Sequence, residues 1–131
     1  MKFMYRYTRV RVWLYRKFFS NIRKLKFTGK ILQATQFIGT GEIFAQNVEL
    51  GVFPSPYFTN GVGYIEARNT TAKIEILDNT FINNNFVMIA DRTKITIGRR
   101  CLIGTNFFVT DSDFHGLAIN NRTNGNYECL P

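Results

Sequence analysis

Between residues 74 and 109 the aliphatic positions fall six apart, a spacing that belongs to neither an α-helix nor a hairpin meander. Ile76, Ile82 and Met88 form one triplet and Ile97, Ile103 and Val109 a second, each member standing 21 residues after its counterpart. Ile74 and Ile95 precede their triplets by two, so both runs open on an apolar–polar–apolar step. A hexad repeated in this way predicts a hexapeptide solenoid, with one short strand per side of a three-sided coil. The aliphatic points to the axis and stacks on its equivalent one coil later. Four residues further on, Thr80, Phe86, Cys101 and Phe107 are expected to face inward near the corners, and Gly98 and Gly104 to serve tight turns. The residues of the 21-residue offset that exceed three hexads are placed as a bulge around Asp91–Lys94. Weaker echoes of the hexad run through Phe37–Gly51. Val52–Gly63, with Pro54 and Pro56, reads as an excursion loop before a strand Tyr64–Arg68. Accidental alternation in an antiparallel sandwich is the competing explanation, and two matched triplets argue against it.

Upstream the period changes. Phe3, Tyr7, Val10, Leu14, Phe18, Ile22 and Leu25 are spaced by three or four, the stripe of an amphipathic helix, with Gly29 as its C-terminal stop. Val10, Val12 and the aromatic residues are mediocre helix formers, so the stripe and not propensity carries this expectation. Three uses are open to the segment: packing on the body or a neighbouring subunit, contact with a membrane surface, or contact with nucleic acid. Trp13, Tyr5 and Tyr15 beside basic residues suit a membrane interface. Interleaved aromatic and basic residues also suit single-strand binding, but nothing in the body continues such a groove.

Charge sharpens this division. The net charge of +8 comes from 17 basic and nine acidic residues, and ten of the basic ones lie within residues 1–30, which hold no acid. The other 101 residues therefore carry a net −2, so the basic character belongs to an N-terminal arm and makes no case for nucleic-acid binding by the whole protein. A chain of 131 residues with 45% apolar and 20% charged residues is sized and composed as one globular domain. Cys101 and Cys129 are too few for a disulfide framework, so a reducing compartment is expected. Apolar runs such as Val12–Tyr15 fall far short of the roughly 20 residues that span a bilayer, and charges interrupt every candidate signal-peptide core.

Ile95-Thr96-Ile97-Gly98, Leu102-Ile103-Gly104-Thr105-Asn106 and Asp111-Ser112-Asp113-Phe114-His115 together resemble the hexapeptide-repeat acyltransferases, in the branch of the maltose, galactoside and surface-polysaccharide O-acetyltransferases. The resemblance covers about residues 64–118 and extends more weakly back to residue 31. It implies an all-β fold, a left-handed parallel β-helix that is usually trimeric, with active sites between subunits. It also implies transfer of an acetyl group from acetyl-CoA to a sugar hydroxyl without a metal. In such a reaction a His removes the hydroxyl proton as the oxygen attacks the thioester, a task suited to imidazole because its pKa lies near the working pH.

Carried over residue by residue, His115, the one His of the chain, matches the family's base. Asp113 and Asp111 precede it by two and four, where either could orient the imidazole or cap a turn. Asn84 matches the first Asn of the family's Asn-x-Asn stretch, which helps hold the acceptor, although Phe86 replaces the second. Asn106, after Ile-Gly-x, is a corner residue or a substrate contact. The site expected is thus catalytic His115 and Asp113 with Asn84, Asn106 and Asp111 binding substrate. Cys101 falls on an inward position and reads as a small buried residue. The Asn-x-Thr triplets at Asn69 and Asn121 would matter only in a secreted protein. The zinc sites of carbonic anhydrases on the same fold need three His ligands, which one His cannot supply.

The resemblance stops after the His. The family continues with further coils that line CoA, whereas this chain runs Arg122 to Pro131 without another hexad. The expected organisation is a basic amphipathic arm or helix over residues 1–30, a left-handed β-helix over 31–118, and a loop over 119–131 in a shortened chain. The expected activity is O-acetyl transfer to a sugar or polysaccharide, with acetyl-CoA as co-substrate and a homotrimeric assembly in the cytoplasm. The arm would contact the inner membrane surface. A non-catalytic trimeric solenoid that binds carbohydrate or a membrane is the alternative.

Overall fold

The structure is a computed structural model and describes residues 1–123. It opens with one α-helix, α1 (Lys2–Phe18), whose last turn places Arg16 and Lys17 against the negative end of the helix dipole. The helix ends about two turns before the stripe does. Ser20 Oγ donates to Tyr15 O at 2.8 Å, and from Lys24 the apolar positions Leu25, Phe27 and Ile31 face the core from a strand, β1 (Lys24–Ile31). Ile22 and Leu25 therefore belong to the body, and the expected boundary at residue 30 falls inside β1. Gly29 is no helix stop. It sits in β1 at φ 122°, where a Cβ would lie 2.0 Å from Val48 O, and it accommodates a register shift between Phe27 and Gly29.

Nine more strands follow: β2 (Thr35–Gly39), β3 (Glu42–Leu50), β4 (Gly63–Ala67), β5 (Lys73–Ile76), β6 (Phe81–Ile82), β7 (Val87–Ala90), β8 (Lys94–Ile97), β9 (Leu102–Ile103) and β10 (Phe108–Thr110). Every pairing is parallel. One sheet has six strands in the order β8-β5-β3-β6-β9, with β1 also paired to β3, and the other runs β10-β7-β4-β2. Ile74 pairs with Ile95, Ile76 with Ile97, Ile82 with Ile103 and Met88 with Val109, so residues 21 apart lie side by side. The core is the stack of inward residues above them, Phe37, Ile43, Leu50, Ile65, Ile74 and their neighbours, all fully buried.

The fold class expected from the sequence is corrected here. Over the described residues the chain is a mixed α/β protein with one α-helix and two parallel sheets, and not an all-β left-handed β-helix with three separate faces. The reason lies in β3. Residues 42–45 of this nine-residue strand pair with β5 and residues 49–50 with β6, and between them Asn47 takes φ 51°. The strand thus carries its ladder around a corner, and two of the expected faces become one bent sheet. Hexad spacing reports which residues stack, and it holds no information on how many sheets they form or on the hand of the connections.

The corners themselves are built from left-handed residues at Asn47, Asn79, Asn85, Arg100 and Asn106. Asn47 Nδ2 donates to Asn79 Oδ1 and Asn85 Nδ2 to Asn106 Oδ1, both at 2.7 Å, so side chains link successive corners. Gly98 and Gly104 are not in the left-handed region, and a Cβ at either would meet nothing closer than 3.7 Å. The turn strain expected there is borne two residues later, by Arg100 and Asn106. Among the described residues no helix is long and apolar enough to cross a membrane.

Candidate functional site

The loop after β10 carries the candidate base. Its path is fixed locally, with Ser112 N donating to Thr110 Oγ1 at 3.3 Å and Phe114 N to Ser112 Oγ at 3.0 Å. Phe114 is held at φ 61°, a conformation that costs a bulky residue of order 1–3 kcal/mol unless its surroundings impose it. The imposing contact is visible. The Arg68 guanidinium lies 4.4 Å from the Phe114 ring centroid. Arg68 in turn donates from Nε to Glu66 Oε1 at 2.9 Å and from its terminal nitrogen to Oε2 at 3.1 Å. Tyr64 Oη donates to the same Oε2 at 3.0 Å. Tyr64 and Glu66 alternate along β4 on the outer face of the four-stranded sheet, with Arg68 two residues on, so the period of two aligns the three for the 112–115 loop to dock on. Burial, then the hydrogen bond to Glu66, raises the Tyr64 pKa above its ordinary value.

His115 is exposed on this anchored loop, and its Nδ1 lies 3.1 Å from Gly116 O. A carbonyl only accepts, so Nδ1 is the donor where this contact is a hydrogen bond, and an imidazole in that tautomer keeps Nε2 to act as a base.

The other expected site residues separate into two groups. Asp113 shares the loop and is exposed, but among the described residues no hydrogen bond or ion pair joins it to His115. Asp111 points away, to the bend at 91–93. It accepts from Asp91 N at 2.6 Å, Thr93 N at 2.9 Å and Thr93 Oγ1 at 2.6 Å. Partial burial raises the Asp111 pKa, and these hydrogen bonds outweigh it and hold the carboxyl below its ordinary value. Asn84 is fully buried and committed to the excursion loop. Its Oδ1 accepts from Val52 N at 3.1 Å, and its Nδ2 donates to Val52 O and Pro56 O, both at 2.9 Å. Asn106 is an exposed corner residue bonded to Asn85. His115 and Asp113 therefore share one loop without a bond between them, while Asn84 and Asp111 hold backbone and Asn106 accepts from the Asn85 side chain.

Tyr64, Glu66, Arg68 and Phe114 were not legible as a unit. The Tyr-x-Glu-x-Arg alternation is visible in the sequence, but its partner lies 46 residues beyond Arg68. Asn69 spends its amide on Asp91 O and Oδ1, at 2.9 and 3.0 Å. Cys101 is a half-buried free thiol, and Cys129 and residues 124–131 of the expected terminal loop lie outside the described residues. A groove of about 150 Å³ lies between β1, the β3 corner and Phe81, and it shares no residue with the His115 loop. Among the described residues no group of three or more His, Cys, Asp or Glu side chains converges on a metal position. No protein-family model matches the chain, and no curated protein or solved structure matches it at a significant level.

Proposed function

We propose that the protein is an acyltransferase that moves an acetyl group from acetyl-CoA to a carbohydrate hydroxyl, with His115 as general base. The observation that carries this reading is the exposed His115 on its anchored loop, with Nδ1 3.1 Å from Gly116 O, since an imidazole that donates from Nδ1 to a carbonyl presents Nε2 to an incoming hydroxyl. The motifs at residues 95–115 that resemble the O-acetyltransferases support it. In the step, Nε2 takes the hydroxyl proton as the sugar oxygen bonds to the thioester carbonyl carbon. The carbon–sulfur bond then breaks, and the imidazolium returns the proton to the departing CoA thiolate. The acceptor lies over the outer face of β4, where Arg68 and Tyr64 offer polar groups beside the loop. The homotrimer belongs to the same proposal, and among the described residues β10 pairs with β7 alone, which leaves its other edge for a neighbouring subunit.

A non-catalytic carbohydrate-binding module is the second reading. It is favoured by the engagement of Asn84 with backbone and of Asn106 with the Asn85 side chain, and by the absence of a bond between Asp113 and His115 among the described residues. Titration calorimetry with acetyl-CoA followed by a thiol-release assay over a panel of sugars decides between them. Acyl transfer requires saturable binding near one acetyl-CoA per chain, and a loss of about 10²–10⁴-fold in turnover in His115→Ala at unchanged acetyl-CoA affinity. Sugar binding that survives His115→Ala, with no heat from acetyl-CoA up to millimolar concentration, would leave the binding module.

A further inference from the structure

Of the apolar stripe of α1, Leu14 is half-buried and Phe3, Tyr7, Val10 and Phe18 are exposed. Met4, Thr8, Arg11, Val12 and Tyr15 face inward, with Thr8 the only buried residue of the helix. Arg11 fixes this orientation by donating to Thr59 O and to Gly61 O of the excursion loop. The opposite side is left to solvent and holds large apolar residues, with Phe3 83%, Val10 55% and Trp13 54% exposed, and Phe18, 62% exposed at the end of the helix, turns its ring onto Trp13. At 3.6 residues per turn, Lys2, Arg6, Arg9 and Lys17 fall on that same side. Lys17 Nζ sits 5.2 Å from the Trp13 ring and 5.6 Å from that of Phe18, which packs edge-on against Trp13.

We infer that α1 is a docking surface for an anionic phospholipid bilayer. Charge complementarity selects this partner. Four cations and no acid on an apolar, aromatic face match phosphate headgroups above acyl chains. A second copy of the same face would set four cations against four. A nucleic acid would meet the phosphates but leave Phe3 and Val10 without a partner. The helix lies flat at headgroup depth, with Phe3, Val10, Trp13 and Phe18 in the upper acyl region and the body held above by the Arg11 contacts. This surface shares no residue with the His115 loop, so either assignment can fail alone.

Trp13 is the one Trp of the chain and reports directly on the surface. The full chain is mixed with vesicles of equimolar phosphatidylglycerol and phosphatidylcholine, or of phosphatidylcholine alone, in about 0.1 M salt. Co-sedimentation and a blue-shifted Trp13 emission with the anionic vesicles only, weakened by added salt, are expected. Arg6→Ala and Arg9→Ala each weaken partitioning about fivefold. The triple variant Phe3→Ser, Val10→Ser, Phe18→Ser abolishes the shift and keeps the urea midpoint, because these side chains face solvent. Should the triple variant unfold, the two arginine variants read the same face. The assignment is overturned by equal binding to both vesicles, by binding to neither, or by a shift that an oligonucleotide produces and vesicles do not. Lipid-free dimerisation that already shields Trp13 overturns it as well.

Discussion

The two ends of the strand stack present the same chemistry in opposite states. At the β2 end the sheet edge is closed by the segment that follows α1. Asn21 N and Ile22 N donate to Phe37 O, Ser20 Oγ accepts from Phe37 N at 3.0 Å, and Asn21 Oδ1 accepts from Gly39 N at 3.0 Å. At the other end β8, β9 and β10 each pair on one side only among the described residues. Ile74, Ile76, Ile82, Phe86 and Met88 are completely buried, while Ile95, Ile97, Ile103, Phe107 and Val109, one stride along, are half-buried. Burial here follows from having a layer on both sides, and residue type has little to do with it. The edge that β2 would expose is managed with hydroxyl and amide side chains, and the β8–β10 edge keeps its backbone groups available.

This difference sets the order of expected effects. Ile82→Ala removes buried methyl groups between two layers and should cost about 2–5 kcal/mol. Ile103→Ala, its register partner, should cost about 1 kcal/mol, because one side of the residue is already open. Urea midpoints of the two variants test this, and equal losses would show that something covers the β8–β10 end in solution. Asp111→Asn comes next, at about 1 kcal/mol at pH 7, a figure discounted for the partial exposure of the carboxylate. A carboxyl held below its ordinary 3.8 stabilises the fold above that value and loses the contribution as pH falls through the folded-state pKa. The gap between wild type and variant should therefore be constant from pH 7 to about 5 and close in stronger acid. A gap that widens on acidification would reverse the assigned sign. The smallest effect is expected from Leu102→Ser with Phe108→Ser, 84% and 61% exposed, within about 0.5 kcal/mol each. A larger loss, with a fall in sedimentation coefficient, would mean that these residues are covered by another copy.

What the sequence made legible follows the same division. Register between residues 74 and 109 could be read because identical stacking demands identical residue types, and Ile on Ile satisfies it three times. The excursion loop was legible from its prolines, and β4 starts at Gly63, one residue before the expected strand. The role of Asn84 was not legible, because its partners at Val52 and Pro56 lie about thirty residues away and accept or donate through backbone, which any sequence provides. The side of α1 that meets the body was hidden for a different reason. Periodicity locates an apolar stripe and does not say what the stripe touches, and here a buried Thr and a bridging Arg made the contact. The corner residues were misplaced by two positions because glycine is the usual sign of a left-handed turn, and Asn and Arg supply it here.

The parallel register has a consequence for how this chain can change length. Residues 74–94 form one stride, and residue 95 begins the next in the position that residue 74 held. The loop between β3 and β4 adds residues without disturbing the register. An insertion inside a paired strand would shift the side chains that follow it in that strand out of line with their neighbours, and an odd shift would turn inward residues outward. A tandem copy of the stride would do neither. It would bury Ile95, Ile97, Ile103 and Val109 under a new layer and carry the open face one strand spacing further, about 4.8 Å. Earlier strides differ in length, 18 residues from Lys24 to Glu42 and 31 from Glu42 to Lys73. What growth must keep is thus the strand register and not the length of the connections, and the half-buried face is the place where the next layer would be added.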